Sequence, residues 1–257
     1  MSLTNTSNTL NLKQQQTLYW LEIKTELLKT FREPSFVIPS LSFAVMFYAF
    51  FALIFNQNPE MPAYLLATYA VFGIIGPALF SFGVGVAIER QQGWIALKQI
   101  SPMPISAYFT AKVAASMVFA CIILLMMCTL ASLFGGVKMS LGQWALTFLI
   151  PLIACIPFCV IGLYLGLVLS ANAAPAVVNL IYLPMAFLSG LWIPISVMPA
   201  FMEWIAWTLP AFHVAQLTLA VQGSDLGYPW WAHAGILVLT TVIFAVLARR
   251  AFQRMAI

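Results

Sequence analysis

The stretch ERQQGWIALKQISPMP, residues 89–104, decides how this chain is organised. It is a charged, amide-rich interruption between two long apolar runs. Its apolar side chains recur at roughly helical spacing, which predicts a short amphipathic helix; they are Gly93, Trp94, Leu97 and Ile100. The prolines that follow end this helix, because proline supplies no N–H and restricts the residue before it. A short helix of this kind between two membrane spans offers a surface that another protein can bind.

The composition outside this stretch is that of a membrane protein. Of the 257 residues, 63% are apolar and 7% are charged, which is far from the usual composition of soluble domains. The apolar runs are too long and too continuous for the strands of a membrane barrel. We therefore expect one transmembrane domain, residues 1–257, in an all-α polytopic fold. Its six spans are predicted at 36–55, 63–88, 111–134, 144–169, 176–193 and 230–248.

The N-terminal region has a different character. Residues 1–16 are polar and contain no apolar core of a secretory signal, so no removable signal is expected before the first span. Residues 15–31 carry apolar side chains close to one face and charges on the others, which predicts an interfacial helix along the inner membrane surface. A soluble helix that merely precedes the membrane is the alternative.

The basic residues predict the orientation. With six spans and the N-terminus inside, nearly all Lys and Arg fall on the inner side, and Lys138 alone falls on the outer side. The inner residues are Lys13, Lys24, Lys29, Arg32, Arg90, Lys98, Lys112, Arg249, Arg250 and Arg254. The positive-inside rule then places both termini in the cytoplasm.

The segment between the last two spans, residues 194–229, is too apolar for a free loop and too often broken by proline and polar residues for a crossing. Two short re-entrant helices that dip into the outer leaflet would fit it, and an interfacial hairpin lying flat is the alternative. The two histidines of the chain, His213 and His233, are expected to be isolated on the outer side. His213 is then an interfacial aromatic residue, or else a proton relay or ligand.

Motifs for catalysis and for nucleotide binding are absent from the sequence. It contains no G-x-x-x-x-G-K-[ST], no H-E-x-x-H and no G-x-S-x-G. The spans are expected to be nearly free of charge, which disfavours ion-coupled carriers and pumps. The cysteines lie inside apolar runs without His or carboxylate companions, so packing is favoured over a metal site; they are Cys121, Cys128, Cys155 and Cys159. A membrane transferase enzyme and an ATP-independent carrier or channel remain as rival functions.

Two spans carry stripes of small and neutral polar residues at helical spacing. The stripe of the second span is Tyr69, Gly73, Gly76, Phe80 and Gly83, and that of the fifth is Asn179, Tyr182 and Ser189. The fourth span adds a G-x-x-x-G pair, Gly162 and Gly166. Helix packing within the chain explains all three. A second interpretation is that the second and fifth spans meet another copy of the chain and line a path between the copies.

Two sequence patterns resemble those of a known family. They are the pattern E-R-x-x-G-W-x-x-L-x-x-x-S-P at residues 89–102 and the stretch LSGLWIPISVMPAFMEWIAWTLPAFHVAQL at residues 188–217. With the six-span plan, they resemble permeases of the ABC type-2 exporter family over nearly the whole chain. The resemblance implies a half-transporter that pairs with a second permease copy. Separate ATPase subunits that carry ATP and Mg would dock beneath the pair, and this chain would bind no cofactor.

The resemblance also assigns roles to residues. The loop after the second span would be a coupling helix in a groove of the ATPase, which maps to Glu89, Arg90, Gly93, Trp94, Leu97 and Lys98. The N-terminal helix from Trp20 to Phe31 would support the same contact. The outer helices would act as a gate, at Trp204, Trp207 and His213.

The family's location is the prokaryotic plasma membrane. Relatives often carry Thr at the position of Trp94, which is a departure of this chain from the family pattern. The charge-poor path resembles that of exporters of amphiphilic or lipid-like cargo.

Overall fold

A computed structural model describes residues 11–56, 58–101 and 103–255, and their regular structure is helical. The polar segment before residue 11 and Pro102 of the interrupting stretch lie outside the described residues. The first half contains α1 (Leu12–Phe31), α2 (Pro34–Tyr48, continued by the π-helical Ala49–Ile54), α3 (Met61–Gln91), α4 (Trp94–Ile100) and α5 (Ile105–Leu133). The second half contains α6 (Leu141–Val168), α7 (Ala174–Leu188), α8 (Ala200–Ala206), α9 (Pro210–Ala220) and α10 (Trp230–Met255).

The helix lengths confirm an all-α polytopic membrane protein. Within the described ranges, five helices are long and apolar enough to cross a bilayer: Pro34–Ile54, α3, α5, α6 and α10. The helix at the predicted fifth span, 176–193, is shorter than that span. It ends at Leu188, and Gly190 turns the chain with a φ of 74°. Its 15 residues extend over about 22 Å, less than the roughly 30 Å of a hydrocarbon core. The exact number of six crossings stays a prediction.

The helices run back and forth between two ends of a bundle. At one end, called the α4 end, α3 and α6 finish together, since the Arg90 guanidinium donates to the carbonyls of Leu167 and Leu169. The α10 helix ends there too, because its Met255 sulfur lies 3.7 Å from the same guanidinium. The 26 residues of α10 rise about 39 Å, so the helix begins at the opposite end, called the hairpin end, beside α9.

The helix that contains the predicted third span starts six residues before the predicted start of that span. We expected it at residue 111, but α5 begins at Ile105, directly after Pro104. Pro104 has an extended backbone (φ −65°, ψ 131°), and a helix can begin at the next residue. Lys112 therefore lies two turns inside the candidate span α5, which carries no other charged residue.

Close packing of α3 on α6 forms the centre of the fold. A Cβ atom added at Gly166 would lie 2.4 Å from the Phe82 carbonyl oxygen, and one at Gly162 would lie 2.9 Å from the Phe82 Cβ. Gly83 of α3 is equally tight, with a Cβ position 2.8 Å from Val178 Cγ2 of α7. The small residues at these three positions therefore serve packing within the chain.

Substituting Gly166 with Ala is expected to lower the free energy of unfolding by about 1–3 kcal/mol, because the added methyl group forces α3 and α6 apart. Gly142→Ala in the same helix is the matched control, since nothing lies within 4 Å of its Cβ position. Unfolding in mixed detergent micelles, followed by tryptophan fluorescence, measures both variants. Equal stabilities of the two variants would contradict this account of the α3–α6 contact.

Candidate functional site

The interrupting stretch forms a turn followed by α4. Its glycine, Gly93, has a φ of 79°, a backbone conformation that glycine adopts without a steric penalty. This turn separates α4 from the end of α3. The 7-residue α4 buries Ile95 against the bundle. Its other large apolar side chains point outward, with exposed fractions of 53% for Trp94, 57% for Leu97 and 83% for Ile100. The helix therefore presents an apolar surface at the α4 end.

A buried group of charges, called the charge cluster, lies behind α4. Its members are Glu26 and Lys29 of α1, Glu89 of α3, and Tyr108 and Lys112 of α5. The Lys112 side chain is central, with its Nζ 2.7 Å from Glu26 Oε1 and 3.1 Å from Glu89 Oε1. The same Glu89 carboxylate accepts hydrogen bonds from Lys29 and from the Tyr108 hydroxyl. The cluster thus joins three helices through one carboxylate.

The charges of the cluster balance one another. Two carboxylates face two ammonium groups, and Lys112 is only 1% exposed. Taking charges out of water is costly, and the cost is met here by paired partners and hydrogen bonds. Burial opposes the charged form of Lys29, but attraction to Glu26 and Glu89 outweighs it and raises the pKa of Lys29 above its ordinary value. The two neighbouring carboxylates therefore favour the charged form of Lys29.

Lys98 connects α4 to this cluster. Its ammonium group donates to Glu22 of α1 and lies 5.1 Å above the centre of the Tyr108 ring, within the range of a cation–π contact. The Tyr108 hydroxyl in turn donates to Glu89. Lys98 thus joins α4 to α1 directly and, through Tyr108, to the end of α3.

Arg90 connects the end of α3 in the other direction. Its guanidinium donates to the carbonyls of Leu167 and Leu169, which have no partners further along α6 because the helix ends there. Such a contact stabilises the C-terminus of a helix. Two consecutive residues, Glu89 and Arg90, thus link the end of α3 to α1 and α5 on one side and to α6 on the other.

The structure distributes the predicted coupling residues over two groups. Trp94 and Leu97 face outward on α4, and Trp20 is exposed on α1. Glu89, Arg90 and Lys98 instead contact other helices of the same chain. Phe31 stacks on Phe119 with ring centroids 4.9 Å apart, although it remains 43% exposed.

Sequence reasoning missed four members of this arrangement, which are Glu22, Glu26, Tyr108 and Lys112. One signal was available: Glu22, Glu26 and Lys29 are spaced four and three residues apart, so they share a helix face. A lysine just inside an apolar run was a second signal, because such a residue usually has a buried partner.

Five of the eight residues in the stripes predicted for the second and fifth spans line a cavity of about 350 Å³ between α2, α3 and α7. Its lining includes Gly73, Gly76, Phe80, Asn179 and Tyr182. The Tyr182 ring stacks on Phe72, and its hydroxyl donates to the Phe72 carbonyl at 3.2 Å. The other three stripe residues do not line this cavity; Tyr69, Gly83 and Ser189 are buried elsewhere among the helices.

At the hairpin end, the expectation of two isolated histidines is wrong. His213 of α9 and His233 of α10 are both buried, with their Nδ1 atoms 2.8 Å apart. The two rings meet because α9 packs along α10. Of the other predicted gate residues, Trp207 contacts both histidines, whereas Trp204 is largely exposed.

Comparison with known proteins agrees with this architecture. The sequence profile of the family described as "ABC-2 type transporter" matches residues 17–222. One curated relative, "Putative transport permease YvfS" of Bacillus subtilis (strain 168), is 27% identical over 244 residues. The aligned region covers 93% of this chain and 96% of the relative.

Proposed function

The chain belongs to the ABC-2 type transporter family and is a membrane subunit of a transporter; from this we propose that it is the permease of an exporter driven by a separate ATPase. The permease itself carries out no catalysis and binds no cofactor. ATP and Mg are bound by ATP-binding-cassette subunits in the cytoplasm. Two copies of the permease pair in the membrane, and two ATPase subunits dock beneath them.

The observation that carries this proposal is the exposed apolar surface of α4. Large apolar side chains at the water-facing end of a membrane protein are costly unless a partner covers them. Trp94, Leu97 and Ile100 lie on a helix that the chain itself holds in place through Ile95 and Lys98. A held helix with an apolar outer face is suited to a groove on another protein. We assign that groove to the ATPase subunit, with Trp20 of α1 beside it.

The buried contacts give this docking surface a route into the membrane. When ATP binding draws the two ATPase subunits together, α4 is displaced with them. Lys98 and Glu89 pass that displacement to α1 and α5, and Arg90 passes it to α6 and the start of α7. In this proposal Glu89 and Arg90 act by moving helices of their own chain, whereas Trp94 and Leu97 contact the partner. ATP binding supplies the difference in affinity that shifts the conformational equilibrium.

The cavity between α2, α3 and α7 supports a transport path on this face of the bundle, where the second copy of the permease would pack. Asn179 and Phe80 are accessible at this cavity, and the tightly packed Gly83 lies behind it. In this proposal, the cargo crosses where the cavities of two copies face each other.

The distribution of basic residues supports an orientation with the α4 end in the cytoplasm. Lys98 follows α3 at this end, and Arg249, Arg250 and Arg254 lie in the last turns of α10 at the same end. Lys138 lies at the other end, in the turn between α5 and α6. This orientation places both termini in the cytoplasm of a prokaryote, with the chain in the plasma membrane.

Co-purification with an ATPase subunit tests the proposal. The tagged chain is co-expressed with ATP-binding-cassette subunits of the same genome, beginning with any encoded beside it, and the complex is reconstituted in nanodiscs. We expect equal amounts of the two subunits, and ATP hydrolysis that disappears when the phosphate-loop lysine of the ATPase is replaced. Transport or ATP hydrolysis by the chain alone, or failure of every such ATPase to bind it, would contradict the proposal.

A further inference from the structure

The two histidines of the sequence form a buried pair at the hairpin end. His213 lies in α9 and His233 in the first turn of α10. A pair of facing Nδ1 atoms 2.8 Å apart requires one nitrogen to donate and the other to accept. The described part of the chain contains no group of three metal-ligating side chains here, so a hydrogen bond rather than a metal joins the rings.

The surrounding groups decide which ring donates. His213 Nε2 lies 3.0 Å from the Trp207 carbonyl oxygen, which can only accept, so Nε2 carries the proton. A neutral imidazole has one N–H, and His213 Nδ1 is therefore the acceptor. His233 donates through Nδ1, and its Nε2 is left as a bare nitrogen. This Nε2 is buried and has no hydrogen-bond partner among the described residues.

The environment of the pair favours neutral rings. The Trp207 ring stacks on His233 with centroids 5.4 Å apart, and Phe212 lies at a similar distance from both histidines. Burial lowers the pKa of His213 below its ordinary value. The nearby carboxylates that could stabilise a cationic ring, Glu203 and Asp225, already accept other hydrogen bonds.

Three titratable groups lie on the segments around the pair: Glu203, Tyr228 and Asp225. Glu203 of α8 accepts a hydrogen bond from the Tyr228 hydroxyl at 2.8 Å. Asp225, between α9 and α10, accepts from the backbone N–H of Gly227 at 3.0 Å. The described parts of α8, α9 and the turn contain no Lys or Arg that would repel a proton.

We propose that His213 and His233 form a proton-sensitive clasp, which holds the α8–α9 hairpin on α10 until both rings are protonated and then releases it. One added proton can be accommodated, because an N–H⁺···N bond still joins the rings. A second proton places donors on both facing nitrogens and two positive charges at contact distance, and the bond is lost. The clasp connects three segments, since the Trp207 carbonyl fixes the end of α8 to the same pair.

The sign of the pH effect follows from burial. The closed hairpin holds the His213 pKa below the value expected for an exposed imidazole, so protons bind more tightly to the open form. The closed form is therefore favoured above an ordinary histidine pKa of about 6.5 and is lost as the pH falls through the lowered pKa. If the α4 end faces the cytoplasm, as proposed above, external acid opens this end. That last step rests on the proposed function, whereas the clasp itself does not.

Nitrogen NMR tests the pair directly, because the sequence contains these two histidines alone. The chain is labelled with ¹⁵N-histidine, placed in nanodiscs and titrated from about pH 8 to about pH 4, across the ordinary histidine range. We expect opposite tautomers at neutral pH, with Nε2 of one ring and Nδ1 of the other protonated, and titration below the ordinary pKa. Two rings in the same tautomer, or two independent titrations near the ordinary value, would overturn the proposal.

Hydrogen exchange of the α8–α9 backbone tests the release. After correction for the intrinsic effect of pH, exchange should be about tenfold faster or more below the transition, because the open form binds protons more tightly than the closed form. H213F/H233F keeps the aromatic packing and should abolish the pH effect, and Y228F, which leaves the pair intact, should retain it. Exchange that is independent of pH in the unmodified chain would overturn the clasp. The measurement needs no ATPase, so its failure would leave the proposed function untouched.

Discussion

Replacing Lys112 with Met is expected to lower the free energy of unfolding by about 3–5 kcal/mol. The substitution keeps an unbranched side chain of similar length but removes the ammonium group that bridges Glu26 and Glu89. Both carboxylates stay buried, and the half-exposed Lys29 is then the cation that remains beside them. The loss arises mainly from the uncompensated negative charge, since methionine fits the apolar part of the site.

Lys98→Met is the matched control. Lys98 also pairs with a glutamate of α1, Glu22, but the Lys98 side chain is 24% exposed against 2% for Lys112, so its loss should be the less destabilising of the two. Thermal unfolding in one detergent, followed by near-ultraviolet circular dichroism, compares the two variants. If Lys98→Met were as destabilising as Lys112→Met, burial of the charge cluster would not be the cause.

A second substitution separates charge from packing. Adding Glu89→Gln to Lys112→Met removes one uncompensated carboxylate while keeping the Tyr108 and Lys29 contacts possible. The double variant should therefore be more stable than the sum of the two single losses implies, with a coupling energy of about 1–3 kcal/mol. Strictly additive losses would indicate that the Lys112 ammonium group does not act through Glu89.

The helical runs were the part of this fold that the sequence predicted well. Continuous apolar stretches determine where a chain can cross a bilayer, and α3 and α6 end within three residues of the ranges predicted for the spans, whereas α10 continues to Met255. Their ends were less predictable, because they depend on local groups. Ser140 caps α6 through a reciprocal pair of bonds with Gln143, so this helix begins before Trp144.

The short amphipathic helix α4 was predicted from the sequence, but the side-chain contacts behind it were not. Spacing along one helix identifies side chains that share a face, and Trp94, Leu97 and Ile100 were found in this way. The association of Glu26, Glu89 and Lys112 depends on how three separate helices pack, and no local pattern encodes it. For the same reason, Glu89 and Arg90 were expected on a docking surface. In the structure they lie at the end of α3 and contact other helices of the same chain.

Replacing Leu97 with Asp is expected to weaken binding of the ATPase subunit by at least about 30-fold, the effect of losing roughly 2 kcal/mol at an interface hot spot. Leu97 lies between Trp94 and Ile100 on the outward face of α4, so the substitution places a charge in the middle of the proposed docking surface. The folded chain should keep its stability, because Leu97 is exposed and Ile95 supplies the inward contact of the helix. Stability of the isolated variant is measured first, and ATPase affinity is then measured in nanodiscs by biolayer interferometry.

Leu141→Asp distinguishes docking from a general effect of adding charge. Leu141 is 87% exposed, and it lies at the start of α6, at the end of the bundle opposite to α4. An acidic residue there is compatible with the first turn of a helix, so neither stability nor ATPase binding should change. If both variants bound the ATPase like the unmodified chain, the apolar face of α4 would not be the docking surface. Loss of binding in both variants would mean that an added charge weakens binding wherever it lies on the membrane subunit. The result for Leu97→Asp would then not support α4 as the docking surface.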